Sequence, residues 1–407
     1  MLRTSVLTQP PSQGGDHGRA LALSGAAAAP GDLVLRVLPA AKVLQPALWR
    51  SRCHRCFATT SAPLSRCGRC RLAHYCSRAC QQADWTPHHR AECSRLVQLE
   101  ALRLRDAQDL GWHDADLDQE AVLLAALAQK LQLVDETHSM LELQTILARF
   151  KNNNFSITDE LLLEIGAGCY LRAAMANHSC EPNCAVTFSA KEQRVEFRAM
   201  RAIAAGEELT HSYVDIALPR RDRQQRLEQQ YHFQCKCVRC SQPLTDPQSR
   251  DANLDSDIDG VPEAQWSDER VRAVERAKAQ LNEAASFAGD TSVDALQVAL
   301  NALQTELHAE NTTILQAYST LFSAEMERGG ASGAIAFGEH MLAFYRRAYP
   351  ANHPLVGLHL FTLGDLHMQR RDPRARRLLR EAQQVVQITH GHEHPFVALL
   401  QERIAAC

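Results

Sequence analysis

No apolar run in this chain approaches the roughly 18 residues that a membrane-spanning helix needs. The segment Met1–Gly15 holds Arg3 but no apolar stretch of the kind a secretory leader carries, so no signal peptide is expected. Net charge is scarce too. The 44 Lys and Arg against 47 Asp and Glu leave −3, which gives no overall electrostatic case for nucleic acid. With 407 residues, 45% hydrophobic and 22% charged, the chain has material for two or three ordinary globular cores. Cysteine, by contrast, is abundant at 14. So many thiols persist in a reducing compartment when metal holds them as thiolates, and the cytoplasm and nucleus are the expected locations.

The cysteines are clustered. Cys53-Cys56 and Cys67-Cys70 have the tight C-x2-C spacing, and Cys76-Cys80 and His89-Cys93 have three-residue gaps. Those eight ligands suit two tetrahedral zinc sites with none left over. Three-residue gaps place both ligands on one face if the segment is helical, which selects His89 as the partner of Cys93. A forty-residue piece of this kind cannot build an adequate apolar core, so metal would supply its folding energy. Trp85 is a plausible cover for that small core. The block is basic, with Arg52, Arg55, Arg66, Arg69, Arg71, Arg78, Arg90 and Arg95 against Asp84 and Glu92. Such a face is solvated or docks a peptide; direct nucleic-acid contact is the alternative.

A third set is split. Cys180 stands about fifty-five residues before Cys235, Cys237 and Cys240. One metal stitching these segments would tie Asn177-His178-Ser179 to the later knuckle. Eleven cysteines are then ligands, leaving Cys169, Cys184 and Cys407.

Around these sets the chain changes language. Short strands are expected at Leu33–Leu35 and Val37–Leu38, after the turn Pro30-Gly31-Asp32. Helical patterns follow at Leu96–Asp106, Glu120–Leu133 and Thr137–Phe150. Cys184–Phe188 and Arg194–Phe197 suggest a hairpin, and Leu209–Tyr213 a strand after the turn Ala205–Glu208. Residues 244–267 read as an exposed acidic linker. Beyond Asp268 the pattern is helical, and Asn352-His353-Pro354-Leu355-Val356 recurs as Glu393-His394-Pro395-Phe396-Val397 after forty-one residues. Stacked helix pairs have periods of this order.

The first cysteine block resembles the MYND zinc finger: C-x2-C, C-x2-C, Tyr75-Cys76-x3-Cys80-Gln81, Asp84-Trp85, then His and Cys. In that family the first and third pairs share one zinc, and the second and fourth share the other. The usual two-residue gap after the tryptophan would select His88, whereas the spacing to Cys93 selects His89. Such modules typically bind proteins, often proline-containing peptides. Asn177-His178-Ser179-Cys180-Glu181-Pro182-Asn183 followed by Gly206-Glu207-Glu208-Leu209-Thr210-His211-Ser212-Tyr213 resembles the SET domain of lysine methyltransferases. Cys235-x-Cys237-x2-Cys240 resembles its post-SET knuckle. The order of parts is that of the SET and MYND (SMYD) family, and the likeness covers nearly the whole chain. Gly18–Leu21, Asn153–Ile157, Tyr231–Phe233 and Thr389–His394 also match family segments.

The resemblance implies an α+β architecture: a SET-domain β-fold with an inserted double-zinc MYND finger, a post-SET zinc knuckle and a C-terminal all-α TPR-like helical domain. The implied parts are 1–49 (SET N-terminal part), 50–95 (MYND), 96–150 (helical insert), 151–232 (SET core), 233–243 (post-SET), 244–267 (acidic linker) and 268–407 (helical domain). It further implies a protein-lysine N-methyltransferase with S-adenosylmethionine and three zinc ions, acting as a monomer on a protein or peptide lysine. Asn177 and His178 would contact the cofactor, with Asn153 near its amino-acid end and Arg19 in reach of its carboxylate. Tyr231 and Phe233 would flank the adenine and channel, and Tyr213 would align amine and methyl. Cys180, Cys235, Cys237 and Cys240 would hold the third zinc. Ala20 and Ala174 depart from the family, where glycine and serine are usual. The competing expectation is a catalytically silent scaffold or transcriptional co-regulator that binds proteins.

Overall fold

The computed structural model describes residues 20–97, 125, 128–129, 139–189, 193–246, 248–286 and 290–407. The chain divides into two compact units, one of Met1–Leu35, Ala176–Val186 and Phe197–Cys407, the other of Arg36–Met175 and Thr187–Glu196. Leu33–Val37, Cys184–Ser189 and Arg194–Ala199 form one sheet with Arg194–Ala199 in the middle. The expected hairpin is therefore present, its turn lying outside the described residues.

In the smaller unit, Glu164–Cys169 is the centre strand of an antiparallel sheet, between Ala41–Leu44 and Asn154–Thr158. Glycine is required at Gly166, since a Cβ there would sit 2.3 Å from the Val43 carbonyl oxygen. The helix Met140–Asn153 opens on a capping box in which Ser139 and Glu142 satisfy each other's backbone N–H groups. That cap sets the start three residues later than the periodicity suggests. The helices expected at Leu96–Asp106 and Glu120–Leu133 lie almost entirely outside the described residues.

In the larger unit, the segment after Ala20 runs antiparallel to residues 199–209. Leu209 N–H donates to the Leu21 carbonyl at 2.7 Å and Leu23 N–H to the Glu207 carbonyl at 2.9 Å. Leu21 and Leu23 are buried. The continuation, Thr210–His211, pairs in parallel with Asn177–His178. This short parallel pair places the motif residues side by side.

The C-terminal helices are Asp268–Ala285, Asp290–Glu306, Thr312–Glu327, Ala331–Ala348, Pro354–Gln369, Arg374–His390 and Pro395–Ala406, each packed on the next. Gly364 lets two of them approach closely, because an added Cβ would meet Leu379 at 2.7 Å. The recurring His-Pro is a helix start. In both copies proline takes the first turn, where its missing N–H costs nothing. The preceding imidazole accepts from the backbone, His353 from Leu355 N–H and His394 from Phe396 N–H. Along the helix Pro354–Gln369, Leu363 and Leu366 are buried while Leu355, in the first turn, stays exposed.

These helices share one core with the segment around Cys180. Cys180, Ile216, Leu227, Cys235, Leu360 and Leu379 belong to a single buried cluster. The linker expectation for 244–267 is corrected here. Ser249, Asp251, Leu254, Ser256 and Asp257 are buried. The acids that made the segment look solvated are hydrogen-bonded: Asp257 accepts from Asp259 and Val261 N–H, and Asp251 accepts from three arginines.

His390 is buried in this unit with Nδ1 2.8 Å from the Thr389 hydroxyl. Burial, followed by His394 and Arg198, depresses its pKa to about 3. The imidazole is thus neutral in the fold but protonates near pH 6.5 once unfolded. Stability from this site is complete above about pH 6.5 and falls as pH drops toward 3. The expected outcome is a melting temperature that declines between pH 7 and 5, with a shallower decline in His390→Gln. Identical slopes would refute the assignment.

Candidate active site and metal centres

Three ligand sets converge, each with donor atoms within 4.8 Å of one another: Cys53, Cys56, Cys76 and Cys80; Cys67, Cys70, His89 and Cys93; Cys180, Cys235, Cys237 and Cys240. Zinc held by thiolates at about 2.3 Å gives a tetrahedron with edges of about 3.8 Å. The separations match: Cys56–Cys76 3.7 Å, Cys76–Cys80 3.4 Å, Cys67–Cys93 3.9 Å, Cys180–Cys240 3.5 Å and Cys70 Sγ to His89 Nε2 3.5 Å. Geometry and donor chemistry both fit three zinc ions.

The finger is organised by short elements. Its small hairpin, Ser65–Arg66 with His74–Tyr75, brackets Cys67 and Cys70 and leads directly into Cys76. Ser77 caps the helix Arg78–Asp84 by accepting from Cys80 N–H. Cys76 therefore stands just outside that helix, and only Cys80 is on it. The next turn, Trp85–His89, is a π-turn. A π-turn absorbs one extra residue, so His89 rather than His88 faces Cys70, and His89 is buried. The Trp85 ring meets His89 edge-on at 5.7 Å, and the Tyr75 hydroxyl donates to buried Asp84 at 2.8 Å.

The third set is attached to the motif residues. Tyr213 N–H donates to His178 Nδ1 at 3.0 Å, so the ring hydrogen sits on Nε2, which faces Cys180 Sγ at 3.2 Å. The Tyr213 hydroxyl donates to the Ala176 carbonyl at 2.7 Å. Burial, followed by Tyr231 and Glu208, pushes the phenol pKa well above its ordinary range and keeps it protonated. Around Tyr213 stand His178 at 5.3 Å, His211 at 4.9 Å and Tyr231 at 4.9 Å, and Phe233 lies 6.1 Å from His178. These rings are half-buried and so offer faces to a flat or cationic ligand. The Asn177 amide donates to Glu208 Oε1 at 2.7 Å.

Comparison with known proteins agrees with this arrangement. Residues 64–214 match the family model described as SET domain. Histone-lysine N-methyltransferase SMYD3 of Mus musculus is 28% identical over 405 residues, covering 90% of each chain. The Homo sapiens SMYD3 is 26% identical over 405 residues, with the same coverage. N-lysine methyltransferase SMYD2 of Mus musculus is 26% identical over 408 residues, covering 92% of this chain and 93% of that one. Over about nine tenths of its length the chain is similar to the SET and MYND domain family. A solved structure, the SET domain of LSMT bound to lysine and AdoHcy, aligns over 92% of each chain at 13% identity. Its TM-score of 0.26 is too low to carry argument.

Asn177, His178, Tyr213, Tyr231 and Phe233 come together in one unit. Asn153 belongs to the other unit, where its amide donates to the Arg149 carbonyl of its own helix at 2.7 Å. Arg19 lies outside the described residues. The structure adds groups that sequence reasoning gave no role. Buried Asn183 donates to the Glu208 carbonyl and to Glu207 Oε1, and accepts from Thr210 N–H, clamping the start of the short strand Thr210–His211. The strand expected at Leu209–Tyr213 is thus only these two residues, and Tyr213 follows it in a bend. His211 lies edge-on against Phe197 at 5.3 Å, and burial depresses its pKa to about 4. Their signal was available: both lie inside the two quoted motifs.

Elemental analysis of the purified protein should give three zinc ions per chain. Cys235→Ser should lose one of them and weaken cofactor binding, since Cys235 and Phe233 share a loop and Cys180 contacts His178. Loss of metal with unchanged cofactor affinity would break the coupling.

Proposed function

We propose that this chain is a protein-lysine N-methyltransferase that moves a methyl group from S-adenosylmethionine to a lysine side chain of a histone or non-histone protein. The observation that carries the reading is Tyr213, held at both ends: its N–H on His178 Nδ1 and its hydroxyl on the Ala176 carbonyl. S-adenosylmethionine, when bound, supplies a methyl already activated on a cationic sulfonium. What remains for the protein is alignment, charge stabilisation and exclusion of water. The residues present suit that task.

The Tyr213 hydroxyl spends its proton on Ala176 and so turns its lone pairs toward the space in front of it. The Ala176 carbonyl keeps a second lone pair. Together they are acceptors for the polarised methyl and for the N–H groups of the incoming amine. That amine must be neutral, although a free lysine has a pKa of about 10.4. A channel walled by Tyr213, Tyr231 and Phe233 lowers that value by desolvation. Asn177 and His178 on their short strand would bind the cofactor, and Phe233 would stack on its adenine. Arg19 and Asn153 are assigned to its amino-acid end from the family resemblance.

The parts are 1–49, 50–95, 96–150, 151–232 and 233–243 as set out from the sequence, 244–267 as a packed connection, and 268–407 as a TPR-like domain, with the MYND finger as a dock for proline-containing peptides. The chain acts as a monomer in cytoplasm and nucleus. No helix among the described residues is long and apolar enough to cross a membrane.

Tyr213→Phe removes one oxygen and keeps the ring. Turnover on a protein substrate found by screening extract with labelled cofactor should fall by roughly 10²-fold, the order expected when one preorganised polar group is lost. Cofactor affinity should change little, whereas His178→Ala should weaken it. Wild-type turnover in Tyr213→Phe would remove this role. A wild-type protein that neither binds cofactor nor methylates any extract protein would leave the scaffold reading in its place.

A further inference from the structure

Beside the third metal centre lies a buried charge cluster that neither the ligand set nor the catalytic reading uses. The Arg223 and Arg239 side chains are 0% and 2% exposed, and the carboxylate between them, Asp251, is 0% exposed. Arg223 donates two parallel hydrogen bonds to Asp251, each 2.8 Å. Arg239 Nε donates to Asp251 Oδ1 at 2.8 Å, and half-buried Arg220 adds a bond to Oδ2 at 3.1 Å. One carboxylate thus faces two fully buried guanidiniums and a third at the edge. Burying an ion costs several kcal/mol unless it is compensated, and Asp251 alone leaves a surplus of positive charge.

The compensation is on the other side of Arg223. Its Nε points at Cys180 Sγ at 3.2 Å, and its Nη2 lies 3.7 Å from Cys240 Sγ. Arg239, which sits between two knuckle cysteines in sequence, donates to the Cys180 carbonyl at 3.4 Å. A zinc ion held by four thiolates carries two net negative charges. That dianion and Asp251 together balance the arginines. Helix Arg220–Tyr231 supplies the next residue as well: the Gln224 side chain bonds both the carbonyl and the N–H of Cys235.

We propose that Arg223, locked by Asp251, is a positioning residue for the third metal: it holds two ligand sulfurs from outside the coordination shell and supplies the counter-charge that retains zinc there. Groups outside the shell orient ligands and commonly change metal affinity by 10- to 100-fold when removed. The same cluster carries the metal's hold outward. Arg239 Nη1 donates to the Ala348 carbonyl at 3.1 Å, at the end of the helix Ala331–Ala348. The metal is therefore tied to the helical domain through two arginines as well as to His178 through Cys180.

The test is zinc release from the full-length zinc-loaded protein into excess chromogenic chelator, with the two finger sites as internal controls. In Arg223→Met and in Asp251→Asn, one of three zinc ions should leave at least tenfold faster, the other two at the wild-type rate. Arg223→Lys keeps the charge but loses the fork, and should release that zinc at an intermediate rate. With cobalt in place of zinc, the thiolate-to-metal absorption of one site should shift in Arg223→Met, reporting altered contacts at the sulfurs. Release of the third zinc at the wild-type rate in the folded variants overturns the proposal. So does equal acceleration at all three sites, which would mean general loosening. If Arg223→Met does not fold, Arg223→Lys and Asp251→Asn decide by the same criteria. These readouts need no methyltransfer, so they stand or fall apart from the catalytic assignment.

Discussion

Cys180 Sγ is the atom on which the larger unit is organised. It is a metal ligand, it faces His178 Nε2, and it accepts from Arg223. Each contact leads to a different part: the post-SET knuckle, the backbone of Tyr213, and the helix Arg220–Tyr231. A thiolate can serve all of these because its charge is diffuse and its lone pairs are not confined to one plane. A carboxylate or imidazole at this position would bind metal but could not accept from both sides with the same geometry. The residue is also fully buried within the core cluster. Zinc here is consequently an internal fastening, with the apolar packing of Ile216, Leu227 and Leu360 arranged around it.

The finger uses the same metal chemistry for a different end. Its buried cluster consists largely of its own ligands with Ala73 and Tyr75. So small a core supplies little hydrophobic stabilisation, and the metal makes up the deficit. In the larger unit, cores already exist, and the metal adds position. That division matters for methyl transfer, which asks for aligned groups more than for strong acids or bases. His178 links the two roles, since its Nε2 is directed at a metal ligand and its Nδ1 fixes the backbone of Tyr213.

The metal ligands were legible because coordination imposes short, fixed spacings on cysteine and histidine, and few other constraints produce them. Of the strand expected at Leu209–Tyr213 only Thr210–His211 forms, and Asn177–His178, its partner strand, was legible as a motif and not as a strand. Other features were not, for identifiable reasons. Residues 244–267 look solvated by composition, yet Asp251 is buried because its partners, Arg223 and Arg239, lie 28 and 12 residues away in sequence. Composition records how many acids a segment has, and not which cations fold onto them. The ambiguity between His88 and His89 came from two family spacings that select different residues, the gap after the tryptophan and the gap before Cys93. The π-turn at Trp85–His89 accommodates the extra residue after Trp85, so the spacing to Cys93 is the one kept. Asn183 was read as part of a motif without a role, since its three partners come from a strand more than twenty residues on.

The Arg223–Asp251–Arg239 cluster raises the question of why charge is kept in a core at all. Replacing a buried ion triad by apolar residues of similar volume is often neutral or stabilising. That exchange presumes the ions compensate only one another. Here the neighbour is a centre that becomes dianionic on taking up zinc, and apolar walls would leave it uncompensated. The arginines are then a consequence of the metal, and Asp251 a consequence of the arginines, because it holds both guanidiniums at fixed orientation. A fork-shaped cation can serve carboxylate on one edge and sulfur on the other, which a lysine ammonium, with a single point of charge, cannot. The buried charges therefore follow from the choice of four cysteines at the post-SET site, and their cost is offset only when the metal is in place.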